Sequence, residues 1–163
     1  MSYVELAKRV IRQVNQVVVG KETEVEEIMT AFLANGSVLL DSLPGVGKTA
    51  VAMAFSKALG LDYNHIRLSP DVTPSDLTGV SIRSADGKAF DFLPGKLFCN
   101  LLLANEINHC SPKTQNTLLD AIKEKQFTMQ SETLSLPNPF FAIAAQCFSG
   151  DFGREHLTDA QAD

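Results

Sequence analysis

Gly45, Gly47, Lys48 and Thr49 stand in the run Ser37-Val-Leu-Leu-Asp-Ser-Leu-Pro-Gly-Val-Gly-Lys-Thr-Ala50, where a short apolar stretch enters a glycine-rich turn. These residue types suit a phosphate group. Glycines let backbone N–H groups curl around an anion with no Cβ in the way. A helix beginning at Lys48 turns its positive N-terminal end to the same oxygens. The lysine reaches β- and γ-phosphate oxygens, and the Thr49 hydroxyl serves Mg²⁺. This is the layout of a phosphate-binding P-loop with one departure: Ser42 stands where the strict pattern has its first glycine. The flanks agree with it, since Val38 to Leu40 read as a buried parallel strand. Val51, Ala52, Phe55, Ala58 and Leu59 form an apolar stripe at helical spacing.

A second constellation is Leu101-Leu-Leu-Ala-Asn-Glu-Ile-Asn108. In P-loop hydrolases an apolar strand ends in Asp-Glu; the aspartate supports the metal's shell and the glutamate polarises the attacking water. Here the pair is Asn105-Glu106. The amide is isosteric but neutral and gives Mg²⁺ less electrostatic support, whereas Glu106 retains the carboxylate of a base.

These residues need a scaffold, and the patterning supplies one. Tyr3, Leu6, Ala7, Val10, Ile11 and Val14 predict a helix with one buried face. Val17 to Gly20 read as a short extended piece ending in a turn, and Val25 to Leu33 as a second helix stopped by Asn35-Gly36. After the P-loop helix, closed by Gly60, come a strand over 63–68 and a loop or short helical turns over 69–79. Residues 80–83 and 88–92 flank Asp86-Gly87, a hairpin signal. Ser111-Pro112 opens a helix with apolar residues Leu118, Leu119 and Ile122. Residues 127–129 and 133–136 predict a second hairpin, and Phe140 to Ala145 a further core strand. Strands alternating with helices imply a mostly parallel α/β sheet, with ligands at the carboxyl ends of its strands. Three of those ends carry polar residues, after Leu40, Ala104 and Ala145.

The chain has 163 residues, 45% of them hydrophobic and 20% charged, which fits one ordinary globular domain. A net charge of −5 argues against bulk capture of nucleic acid. Cys99, Cys110 and Cys147 form no Cys-x-x-Cys pair, so reduced thiols of a cytoplasmic protein are the expectation. His109-Cys110 has no second pair at ligand spacing to make a metal site. No signal-peptide layout and no apolar run of membrane-spanning length occurs.

Together these strings resemble the MoxR-type AAA+ ATPases. Leu39 to Thr49 resembles the family's Walker A region, Pro74-Ser-Asp-Leu-Thr-Gly79 is a family-like string, and Leu102 to Asn108 resembles its Walker B. Ser111 to Gln115 and Leu118 to Ile122 resemble the helix that follows, and Phe140 to Gln146 the sensor-1 strand. The likeness covers residues 17–163, with 1–16 a helix ahead of it. It implies a P-loop NTPase αβα sandwich with a five-stranded sheet and two inserted hairpins, near 80–92 and 127–136. It implies ATP and Mg²⁺, a homo-oligomeric ring, and chaperone-like remodelling of a protein substrate, with a von Willebrand A-type partner possible. Val19 and Gly20 would lie beside the adenine. Pro44, Gly45, Val46, Gly47, Lys48, Thr49 and Ala50 would cradle the phosphates. Thr49 and Asn105 would serve the metal, and Glu106 and Lys48 catalysis. Cys147 falls where the family's sensor-1 asparagine contacts the nucleotide. Leu157 to Asp163 resembles the lead-in to an Asp-Arg-Phe string, so the arginine finger and the helical lid are expected to be absent.

Three functions follow as expectations. The first is an ATP-hydrolysing module. The second is a nucleotide-binding interaction domain with little or no hydrolysis, suggested by Asn105 and Cys147. The third, a small-molecule P-loop kinase, is disfavoured by the Asn-Glu strand end and the lack of an Arg-rich lid.

Overall fold

The computed structural model describes residues 2–41, 45, 47–84, 90–129 and 132–146. Two helices come first, α1 (Tyr3–Asn15) and α2 (Glu22–Leu33), followed by β1 (Val38–Asp41), α3 (Lys48–Leu59) and β2 (Tyr63–Arg67). A short helix, α4 (Pro74–Thr78), leads into a hairpin of β3 (Gly79–Arg83) and β4 (Phe90–Pro94). Then come β5 (Leu101–Asn105), a 3-10 turn over Ile107–His109, and α5 (Pro112–Glu124). A second hairpin, β6 (Gln126–Met129) and β7 (Glu132–Ser135), precedes β8 (Phe141–Gln146).

The central sheet is parallel throughout, in the order β1-β8-β5-β2. It has four strands among the described residues, not the expected five. The patterning itself had supplied four candidates and all four are present; the fifth rested on the family likeness alone. The core strands read as unbroken apolar runs because both faces are covered. Leu101, Leu102, Leu103 and Ala104 are fully buried. Alternate residues serve opposite layers. Leu101, Leu103, Phe141 and Ile143 pack with Val10, Val14, Val25, Ile28, Val51 and Phe55 of α1, α2 and α3. Leu102, Ala104, Ala142 and Ala144 pack with Leu68, Leu77, Leu97, Leu118 and Phe127 on the other side. The result is an αβα sandwich.

Local chemistry sets the helix ends. Ser2 caps α1: its hydroxyl accepts from the Glu5 N–H at 3.2 Å, and the Glu5 carboxylate accepts from the Ser2 N–H at 2.7 Å. Only the C-terminal half of α1 is covered. Val10 and Val14 are buried, while Tyr3 is 90% exposed and Leu6 46%, because the layer beneath α1 is reached only by its last turns. The expected extended piece at Val17 to Gly20 is instead a turn. The Val17 and Val18 N–H groups donate to the Val14 carbonyl, prolonging α1, and Gly20 has φ 75°. Helix α2 begins at Glu22, ahead of the apolar stripe, with Glu22 and Glu24 in its first turn, where the helix dipole favours acids. At α5, Ser111 is the N-cap and Pro112 the first residue, as the sequence predicts.

Both hairpins form near the expected residues. β3 pairs β4 from Gly79↔Pro94 to Arg83↔Phe90, and β6 pairs β7 from Gln126↔Ser135 to Met129↔Glu132. The Asp86-Gly87 turn lies outside the described residues. The first hairpin is rooted where Gly95 passes against Leu77 and Gly79, and the Lys96 and Leu97 N–H groups donate to the Asp76 and Leu77 carbonyls at 3.0 Å each. A Cβ on Gly95 would collide with the Leu77 carbonyl and with the Gly79 nitrogen. Gly95→Ala is therefore expected to destabilise the fold by about 1–3 kcal/mol, the usual cost of overpacking. A urea midpoint equal to that of the unmodified chain would show that this approach is not tight.

Candidate functional site

The carboxyl ends of the four parallel strands gather the polar residues that the sequence singled out. Asp41 of β1 is in register with Gln146 of β8, Asn105 of β5 with Ala145 of β8, and Arg67 of β2 with Asn105. One strand, β8, lies between β1 and β5. The turn after β1 and the pair after β5 therefore leave the sheet about 10 Å apart, two strand spacings.

At the first of these exits, Gly45 and Gly47 adopt left-handed backbone, φ 83° and 86°. A Cβ on either would meet nothing within 4 Å. Conformation, not crowding, requires glycine at these two positions. Gly47 is the N-cap of α3 and Lys48 its first residue; the Val51 N–H donates to the Gly47 carbonyl at 3.0 Å. The N–H groups ahead of Val51 belong to the first turn, which has no intrahelical acceptors. Thr49 and Ala50, expected at the phosphates, lie in this first turn. Pro44 and Val46 lie outside the described residues, as does Cys147.

Lys48 lines a cleft of about 130 Å³ with Asp41, Leu40 and Val51 on one side and Lys21, Glu24 and Ile28 on the other. Val19 and Gly20 do not line it. They sit in the α1–α2 turn, with Val19 82% exposed, and the Gly20 N–H donates to Glu22 Oε1 at 3.3 Å. The next residue, Lys21, reaches the cleft and pairs with Glu24 at 3.7 Å.

At the second exit the two residues differ in how they are held. Asn105 donates from Nδ2 to Nε2 of His65 at 3.0 Å. Its Oδ1 is buried and has no hydrogen-bond partner among the described residues. Glu106 has φ 59° and ψ 45°, a left-handed backbone that a non-glycine residue adopts at a cost of about 1–3 kcal/mol. This conformation ends the strand and turns the carboxylate back across β2. Arg67 Nε donates to Glu106 Oε2 at 2.9 Å, and His109 Nδ1 lies 3.3 Å from the same oxygen. The hydrogen bond from Arg67 and the charge of Glu106 raise the guanidinium above its ordinary range. The pair is solvent-facing on the arginine side, 74% exposed, so it orients Glu106 more than it stabilises the fold.

His65, Arg67 and His109 were not singled out from the sequence. The signal for the first two is alternation: His65 and Arg67 are two apart on one strand and so share a face. Which neighbour that face meets is set by the β2–β5 register alone.

The residues present suit a magnesium nucleotide. An acceptor oxygen, Asn105 Oδ1, is left unpaired and buried, and a hydrated cation would satisfy it. An open glycine cradle at a helix N-terminus would receive the phosphates. Among the described residues no helix is long and apolar enough to cross a membrane. Cys99 and Cys110 are both buried, and burial pushes the Cys99 thiol up to about 11.

Comparison with known proteins agrees in fold and sequence. The family model for the ATPase family associated with various cellular activities (AAA) matches residues 37–163. The chain is 42% identical over 158 residues to the uncharacterized protein YeaC of Bacillus subtilis, covering 97% of this chain and 49% of that protein. It is 33% identical to the chaperone MoxR1 of Mycobacterium tuberculosis, covering 98% of this chain and 42% of that one. The crystal structure of a proposed ATPase from Cytophaga hutchinsonii superposes with a TM-score of 0.86 at 34% identity, over 98% of this chain and 48% of the other. The chain thus spans about half the length of the relatives it matches.

Proposed function

We propose, because this chain belongs to the ATPase family associated with various cellular activities (AAA) and is of the MoxR type, that it binds ATP with Mg²⁺ at the carboxyl ends of β1 and β5 and hydrolyses it. One observation carries the reading: a Gly-x-Gly-Lys-Thr turn capping a helix opens at the same end of a parallel sheet as Asn105-Glu106.

Each residue has a task within this reading. The Gly45 and Gly47 backbone and the first turn of α3 bind the phosphates, Ala50 through its N–H. Lys48 adds a positive charge at the same end. Thr49 and Asn105 would hold the metal, which would supply positive charge against the phosphate oxygens. Glu106 takes the part of the base that orients water. Its carboxylate is engaged by Arg67 and His109 as the chain stands, so that contact must loosen for Glu106 to act. Pro44, Val46 and Cys147 keep their expected nucleotide-side roles, and Val19-Gly20 the adenine side, as proposals. So do assembly into a homo-oligomeric ring and chaperone-like action on a protein substrate, supported by the name of the mycobacterial relative, and a cytoplasmic setting.

A second reading has specific support. A neutral Asn105 at the metal side and a Glu106 already paired both suit a domain that binds nucleotide and turns it over slowly or not at all. Titration of ATP in Mg²⁺ and in EDTA tests the shared premise. Lys48-dependent binding strengthened by Mg²⁺ supports the site; binding indifferent to Mg²⁺ favours the second reading; no binding refutes both. Asn105→Asp is expected to tighten binding in Mg²⁺ by roughly 10-fold, the order of one charge-assisted contact, and to leave binding in EDTA unchanged. Equal shifts in the two buffers would contradict the metal role of residue 105.

A further inference from the structure

We infer that His65 is a positioning residue for Asn105: it fixes which end of the Asn105 amide faces the nucleotide, so that the site offers the metal an oxygen without a carboxylate. The inference rests on the proposed nucleotide site and deepens it.

The geometry begins with the sheet. Strands β2 and β5 run parallel, with Tyr63 opposite Leu101, His65 opposite Leu103 and Arg67 opposite Asn105. Side chains alternate along a strand, so residues 63, 65 and 67 share a face with 101, 103 and 105. Leu101 and Leu103 belong to the layer of α1, α2 and α3, with Tyr63 packed against it. His65 and Asn105 therefore project on the side of the sheet where α3 carries Lys48 and Thr49.

An amide has two unlike ends, one accepting and one donating. Asn105 Nδ2 lies 3.0 Å from His65 Nε2; an amide nitrogen only donates, so this contact is a hydrogen bond in the tautomer that carries its ring proton on Nδ1. The donor end of Asn105 is thereby committed to the histidine. The acceptor end, Oδ1, points elsewhere and is buried without a partner among the described residues. A buried acceptor left unpaired is costly, and a cation with its water offsets that cost where an anion would not. Were the amide reversed, an NH₂ group would face the metal's shell. A carboxylate has two equivalent oxygens and presents one in either orientation. His65 thus matters because residue 105 is an amide, and it would not matter if residue 105 were aspartate.

The test compares ATP binding in Mg²⁺ and in EDTA for the unmodified chain, His65→Leu, His65→Gln, Asn105→Asp and the double variant His65→Leu/Asn105→Asp. Leucine should cut the Mg²⁺-dependent gain in affinity about 5- to 10-fold, the loss of one oriented hydrogen bond, with EDTA binding unchanged. Glutamine, whose carbonyl can accept from Nδ2, should restore the gain. In the Asn105→Asp background the leucine effect should vanish, a coupling read directly from the cycle. Nitrogen-detected spectra of the imidazole should show the proton on Nδ1. A proton on Nε2, an undiminished Mg²⁺ gain in His65→Leu, or an equal loss in the Asn105→Asp background would each overturn the inference while leaving the nucleotide site standing. Absence of Lys48-dependent ATP binding in the unmodified chain would remove both.

Discussion

Lys48→Ala is expected to weaken ATP binding by about 10- to 150-fold, the range for losing hydrogen bonds from a charged donor. Lys48 is the first residue of α3, preceded by Gly47 in the left-handed conformation, and it lines the cleft beside Asp41. It begins the helix whose N-terminus, with the Gly45 and Gly47 backbone, favours an anion. Those neutral donors remain in the variant, so some binding should persist. Alanine has the highest helix propensity of any residue, so α3 should keep its start and the chain its stability. Calorimetric titration reads the affinity, and a thermal melt confirms the fold. Wild-type affinity in a folded Lys48→Ala chain would mean that the turn after β1 does not hold the phosphates, and the proposed function would fall.

Glu106→Gln is expected to lower any ATP turnover by about 10²- to 10⁴-fold, as for loss of a positioned base, while ATP affinity changes little. Glutamine keeps the length and the amide oxygen but cannot take a proton. The left-handed backbone at φ 59° weighs on Glu and Gln alike, so the substitution should not disturb the end of β5. It does remove the charge that Arg67 and His109 face. With Arg67 solvent-facing, that loss should leave the stability of the fold nearly unchanged. Phosphate release at saturating ATP separates the cases. Lost turnover with retained binding supports the base. A fall in affinity as large as that of Lys48→Ala would make Glu106 structural, with its carboxylate needed to anchor Arg67. Turnover already absent in the unmodified chain would favour the nucleotide-binding reading without hydrolysis.

The segments most legible in the sequence are those whose signal is local. The run Leu101 to Ala104 is uniformly apolar, which only a strand covered on both faces demands, and it proves fully buried. Ser111-Pro112 names a helix start because cap and first turn are chemistry within a few residues. Gly45, Gly47, Lys48 and Thr49 announce a helix start after a glycine turn for the same reason, and α3 begins at Lys48. Where periodicity was followed without a partner in view, it overreached. The α1 stripe includes Tyr3 and Leu6, yet these stay exposed, since spacing says which residues share a face and not what lies against it. Val17 to Val19 look extended because β-branched residues favour strands. Hydrogen bonds from the Val17 and Val18 N–H groups back to Val14 make the stretch a turn following α1 instead.

By itself the sequence determined the four strands, the helices between them, the glycine turn with its lysine, and the polar residues at three strand ends. All of these rest on side-chain type and spacing along the chain. Tertiary structure alone decided the partners. Parallel register sets Arg67 opposite Asn105 and brings His65 onto the Asn105 amide, and the left-handed turn at Glu106 carries its carboxylate to Arg67 and His109. The reason is that β2 and β5 are joined through α4 and a hairpin, so no local pattern encodes their alignment. Burial of the alternating faces fixes it, because a slip of one residue would turn Leu101 and Leu103 out of the layer they fill.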